Sequence, residues 1–236
     1  MANQCAVRTQ KIKDLTHLTR VNRHNARHPK GIQANHDPEK IDRNIEHKGT
    51  DDPSASWKSI VGDNGGRKVR SDAVKAVEIL CIHSPEDKDM IEGGSGKKSS
   101  DIEPQKWGDE CYRWACKKFG TENILTAHTH VDESTPHTQI VVVPIDQETG
   151  RLNCKKYTGS PKLLSDMQTD FAEKVGKKYG LERGKEGSKA KHVSNQEYHA
   201  RVRGMEKVAS RADKKIEPKK ITESAEKHAE KANSTI

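Results

Sequence analysis

Residues 128–139, HTHVDESTPHTQ, put three histidines, two acids and a glutamine into twelve positions. Imidazole nitrogens combined with amide oxygens hold a divalent cation while leaving coordination positions open for water or a phosphate oxygen. An ion held in this way serves more naturally as a Lewis acid than as a closed structural centre. Period-two alternation in HTQIVVVP sets His137, Gln139, Val141 and Val143 on one face, with Thr138, Ile140 and Val142 on the other. In the segment before it, His128, His130 and Asp132 share a face, and Glu133 enters the turn. Antiparallel pairing of the two segments brings His130 beside His137 and Gln139, which predicts those three as metal ligands. His128 is expected to face solvent. The same histidines could stand apart on a surface turn, but the acids, Pro136 and the apolar run after it favour a site. No HExxH is present, and these residues read as strands, which disfavours a zinc protease.

The elements that must position this cluster follow from periodicity. CAVRTQKI (5–12) alternates as a strand, and Leu15, Leu18 and Val21 give 15–28 helical spacing. Residues 29–44, rich in Pro, Gly, Asn and Asp, read as a loop, and the pattern from 45 to 70 is weak. AVEILCI, within 71–84, is a buried strand, and 87–101 is a flexible connection. Trp107, Cys111, Trp114 and Phe119 recur at helical intervals in 103–120, with Gly120 as a stop. NILTAHTHVDE and HTQIVVVPI read as two strands around STP, and 160–180 as an amphipathic helix opened by Ser160–Pro161. The order β-α-β-α-β-β-α predicts an α+β fold, a central antiparallel sheet with helices packed on one face. After about residue 200 apolar content collapses, so the expected organisation is a domain over 1–200 and a polar, charged tail over 201–236, helical or disordered.

Composition narrows the partner. Lys and Arg total 43 against 35 Asp and Glu, a formal charge of +8, which suits a polyanion such as nucleic acid. The five cysteines form no CxxC pair and are odd in number, so neither a zinc knuckle nor a complete disulfide framework is indicated. The N-terminal residues lack a signal peptide's apolar stretch, and no apolar run approaches the ~20 residues of a membrane span. The expectation is a soluble protein of a reducing compartment, without stable membrane insertion.

HVDESTPHTQIVVVP resembles the third motif of the MobV (Pre/Mob) relaxases, written HxDExxPHxH. NRHNARH (22–28) is similar to that family's HNxR motif, and GLERGKEGSKAKH (180–192) to the segment closing its relaxase domain. The resemblance runs in order over roughly residues 5–200. It implies an HUH-type endonuclease fold that nicks one strand at a plasmid origin of transfer and stays attached to the 5′ phosphate. It further implies His24 as nucleophile, Arg27 steadying the phosphate or the nucleophile, and His130 and His137 as ligands to Mn²⁺ or Mg²⁺. Glu133 maps onto the motif's acid, to protonate the leaving 3′ oxygen or orient a ligand. Gln139 departs from the pattern, standing where the motif ends in histidine, and presents an oxygen instead.

Arg20 and Arg23 flank His24, and Lys185, Lys189, Lys191 and His192 follow the last helix; these have a DNA-binding reading. The implied partner is plasmid origin DNA, single-stranded or hairpin, in a bacterial cytoplasm. A conjugation coupling protein and a second copy of the chain are further candidate partners. Two rival readings stay open: an HUH replication initiator or transposase using Tyr112, Tyr157, Tyr179 or Tyr198, and a degenerate domain that binds its origin without cutting.

Overall fold

The computed structural model describes residues 3–31, 36–83, 102–133 and 136–187. The strands are β1 (Gln4–Ile12), β2 (Ile45–Lys48), β3 (Ala76–His83), β4 (Ile124–His130), β5 (His137–Val142), β6 (Ile145–Asp146), β7 (Arg151–Leu152) and β8 (Glu182–Arg183). Six of them make one sheet in the order β2-β4-β5-β3-β1-β8, and β6 and β7 form a separate ribbon. All neighbours in the main sheet are antiparallel except β8, which runs parallel to β1. The helices are α1 (Leu15–Asn25), α2 (Pro53–Val61), α3 (Pro104–Phe119), α4 (Cys154–Thr158) and α5 (Pro161–Lys174).

The α+β class and the antiparallel core of the sheet are as the sequence suggests, but the helices cover both faces rather than one. On the rear face, α3 and α5 bring Trp107, Trp114, Phe119, Met167 and Phe171 onto Val7, Ile79, Cys81, Ile140 and Val142. On the front face, Leu18 of α1 and Trp57 and Val61 of α2 pack onto Ile12, Leu125 and Val141. The cause lies in the strands, because β5 carries Val141 on one face and Ile140 and Val142 on the other. A sheet apolar on both faces needs cover on both.

α2 falls where the sequence pattern looked weak, because nine residues give only three buried positions, Pro53, Trp57 and Val61. Its start is nevertheless encoded: the Asp52 carboxylate accepts from Ser54 N and Ala55 N at 3.0 and 2.9 Å, and Pro53 begins the first turn. α5 stops at Lys174, earlier than expected, and a short 3₁₀ turn (Gly176–Tyr179) follows. Among the described residues all five cysteines are free, and no helix is long and apolar enough to cross a membrane. The expected connection at 87–101 and the tail at 201–236 lie outside the described residues.

Candidate active site

The site lies where the C-terminus of α1 meets the ends of β4 and β5. Leu18, Asn22 and Asn25 are buried at helical spacing, so α1 lies against the front of the sheet and its last turn carries Arg23 and His24. The helix ends in a Schellman-type closure, with His28 N donating to Arg23 O at 2.9 Å and Arg27 N to His24 O at 3.1 Å. The left-handed position of that closure, normally glycine, is Arg27 at φ 51°. A residue with a Cβ gives up about 1 kcal/mol there. In return the side chain turns inward to a buried acid. Gly31 lets the following chain pass tightly over the helix end, since a Cβ would come within 2.6 Å of the Arg23 backbone.

Arg27 Nε and Nη2 donate to the two carboxylate oxygens of Asp132 at 2.9 and 2.6 Å, and Nη2 also donates to Glu133 Oε1 at 2.8 Å. Burial pushes the Asp132 carboxyl up, but the hydrogen bonds from Arg27 and Asn44 outweigh it and hold the group below its ordinary range. Arg27 Nη1 donates to His24 O at 3.2 Å and approaches His24 Nε2 at 3.5 Å. Burial first, and then Arg27, lower the His24 pKa and favour a neutral imidazole.

β4 and β5 pair with His130 directly opposite His137 and His128 opposite Gln139. His130 Nε2 lies 2.8 Å from the Asn25 carbonyl, which can only accept, so this nitrogen carries the proton. Nδ1 then presents a lone pair 3.2 Å from His137 Nε2. Burial, reinforced by His137 and Arg27, pushes the His130 pKa down to about 2, so the ring stays neutral. Donor atoms of His130, Glu133 and His137 lie within 4.8 Å of one another. Gln139 Oε1, on the same strand face, is buried with no hydrogen-bond partner. An orphaned oxygen on the face that carries the converging imidazoles fits a divalent cation.

The family profile described as plasmid recombination enzyme, Mob_Pre, matches residues 1–200. The chain belongs to this family. The Mob_Pre chain is 33% identical over 171 residues to a 65 kDa protein of Zymomonas mobilis, a match covering 71% of this chain and 28% of that one. It is 29% identical over 204 residues to plasmid recombination enzyme type 3 of Staphylococcus aureus, covering 81% of this chain and 46% of the relative. It thus spans between about a quarter and a half of these relatives' length. Among solved structures, the MobM relaxase domain bound to 22-nucleotide pMV158 oriT DNA with Mn, at pH 5.5, superposes with a TM-score of 0.70. That match has 26% identity and covers 84% of this chain and 98% of the other. The complex of MobM with 26-nucleotide oriT DNA matches with a TM-score of 0.60, over 83% and 99% of the two chains.

Of the residues singled out from the Mob_Pre sequence, His24, Arg27, His130, Glu133 and His137 converge, and Gln139 faces the same side. Arg20 and Arg23 are exposed on α1 and Lys185 is exposed after β8, while Lys189, Lys191 and His192 lie outside the described residues. His128 corrects an expectation. It is 4% exposed rather than facing solvent, and its Nε2 lies 3.2 Å from Glu46 Oε2, because β2 closes over that edge of β4. Tyr112, Tyr157 and Tyr179 are half-buried against the rear core, on the other side of the sheet from His24, and Tyr198 is not described.

Several contributors escaped sequence reading. His36 Nε2 lies 3.7 Å from Glu133 Oε1, and Asn44 Oδ1 accepts from Val131 N at 2.8 Å, both from a loop with no periodicity. Behind the ligand strands runs a polar chain. Asp109 Oδ1 is 3.0 Å from His47 Nδ1, His47 Nε2 is 2.9 Å from Thr129 Oγ1, and Thr129 Oγ1 is 2.9 Å from Thr138 Oγ1. Thr129 and Thr138 form the register pair next to His130 and His137, so the chain holds the ligand strands from behind. Gly108 makes room for it, since a Cβ there would come 2.2 Å from both His47 Nε2 and Thr129 Oγ1.

Proposed function

We propose that the chain carries the nicking domain of a plasmid mobilisation relaxase, cutting one strand at an origin of transfer and holding the 5′ phosphate through His24. The observation that supports this reading is the convergence of a neutral histidine, a guanidinium and a cluster of cation ligands on one point of the sheet. In the proposed step a lone-pair nitrogen of His24 attacks phosphorus in line, and the P–O3′ bond breaks as the N–P bond forms. The leaving 3′ oxygen takes a proton from water in the site. The other ring nitrogen, made acidic by the N–P bond, returns a proton to that water. Arg27 offsets charge on the non-bridging oxygens and positions the imidazole. The covalent link conserves the bond energy, so rejoining reverses the step without ATP.

His130, Glu133 and His137, with Gln139 beside them, would hold Mn²⁺ or Mg²⁺, which supplies Lewis-acid stabilisation to the phosphate when bound. Glu133 is thereby a ligand as well as a partner of Arg27. Exposed Arg20, Arg23 and Lys185 would contact phosphates, making binding fall steeply with salt. In the bacterial cytoplasm the partners would be plasmid origin DNA, a conjugation coupling protein and a second copy of the chain.

The test is incubation with a labelled single-stranded origin oligonucleotide and Mn²⁺, followed by denaturing electrophoresis. A phosphoramidate adduct is expected, labile to acid and absent in His24→Ala. An acid-stable adduct that survives His24→Ala would overturn the histidine assignment. Binding with no cleavage under several metals would leave an origin-binding protein instead.

A further inference from the structure

We propose that His24, His36 and Glu133 form a second cation site, adjacent to the first and suited to Zn²⁺-like ions, whose occupation captures the His24 imidazole. Each of the three residues offers one donor atom, and these atoms lie within 4.8 Å of one another. The His24 and His36 rings stand 5.6 Å apart between centroids, tilted by 60°, so their edges can converge on one point. His36 Nε2 is already 3.7 Å from Glu133 Oε1, and its side chain is only 2% exposed. His24 Nδ1 is buried without a well-formed hydrogen bond. Donors around a tetrahedral ion with bonds of about 2.0–2.1 Å sit roughly 3.4 Å apart, so closure asks for movements of about an ångström.

The Arg27 charge, which opposes a cation here, is already matched. Its Nε and Nη2 form the two-pronged pair with Asp132, and Glu133 is an additional contact of Nη2. The Glu133 charge is left over for an ion. Two imidazoles and one carboxylate suit borderline ions such as Zn²⁺, and this cluster has no counterpart to the Gln139 oxygen that gives the first cluster a further oxygen donor of the kind Mn²⁺ and Mg²⁺ favour. Both clusters include Glu133, whose two oxygens allow it to bridge a pair of ions. On the reading of His24 as nucleophile, an ion at this second position takes up the lone pair that would attack phosphorus. Metal identity would then switch the site: Mn²⁺ alone supports nicking, and Zn²⁺ silences it.

The test is a titration of the whole chain with Co²⁺ as the Zn²⁺ analogue, read by visible absorption, where thiolate ligation would show separately as an intense near-ultraviolet band. The wild type should take up one more nitrogen/oxygen-bound equivalent than His36→Ala and one more than His130→Ala. A His36→Ala variant with wild-type thermal stability and undiminished Co²⁺ uptake would overturn the site. So would loss of all such uptake on His130→Ala. These readouts hold whether or not the chain nicks DNA, so they are separable from the proposed activity. In the nicking assay with Mn²⁺, the Zn²⁺ needed for half-inhibition should rise about tenfold or more in His36→Ala. An unchanged value alongside lost uptake would overturn the silencing while leaving the site.

Discussion

The two faces of the sheet are built to different standards. Most of the rear face is an aromatic core, in which Trp107 meets Phe171 edge-on at 5.8 Å and Trp114 meets Phe171 at 5.0 Å. The front face is apolar only at one end, under α1 and α2, and at the other end buries His128, His130, Asp132 and His137. The same two strands serve both, since alternate residues of β4 and β5 point opposite ways. Buried polar groups cost free energy unless each is paired. The rear core contributes the stability that lets the front face hold a left-handed arginine, a buried ion pair and neutral histidines.

The sharpest way to separate the faces is His24→Ala. We expect cleavage to fall on the order of 10⁴-fold or more, with a denaturation midpoint close to wild type, measured by single-turnover nicking and urea unfolding. Phe171→Ala should do the reverse, costing about 3–5 kcal/mol while the folded fraction still forms the adduct at the wild-type rate. Arg27→Ala should fail on both counts. It leaves Asp132, whose side chain is fully buried, without its cation, costing about 3–5 kcal/mol, and it also abolishes nicking. Stability and activity should recover together, and only in part, in Arg27→Lys, which loses the two-pronged geometry.

Smaller effects probe the join between the faces. Thr129→Val keeps the shape but removes the hydroxyl linking His47 to Thr138. A loss of about 1–3 kcal/mol is expected, together with weaker Mn²⁺ binding by electron paramagnetic resonance; Thr129→Ser should restore both. Unchanged Mn²⁺ affinity in Thr129→Val would show that the rear chain does not position the ligands. Acid should weaken the front face selectively. The folded state holds His130 near pKa 2, while the unfolded chain protonates it near the ordinary value of 6.5. The unfolded state therefore binds more protons as pH falls below 6.5, and stability drops. Between pH 6.5 and 5.5 His130 alone should account for ~1 kcal/mol, with His24 and His128 shifted in the same direction. Urea unfolding of His130→Gln should show a correspondingly shallower dependence.

Much of this was readable in the chain. Alternation in HTQIVVVP placed His137 and Gln139 on one face, and Trp107, Cys111 and Trp114 marked α3. Both follow from a short repeat written into adjacent residues. The 45–70 region was not readable, because β2 and α2 are too short to show a period and owe their place to contacts with β4 and α1. The expectation that helices sit on one face missed that β5 is apolar on both sides. His128 was misplaced because only the pairing with β2 covers it.

What the sequence determined by itself were the two strands that carry His130, His137 and Gln139 and the helix that carries His24, since each depends on neighbours within a few positions; that Glu133 joins His130 and His137 came only with the fold. What only the tertiary structure decided were the partners across long separations. Arg27 finds Asp132 from 105 residues away, and His47 finds Asp109 and Thr129 from 62 and 82. His130 finds its tautomer at the Asn25 carbonyl. Such contacts leave no local pattern, because the strand order that creates them is set by how the whole sheet buries its two unlike faces.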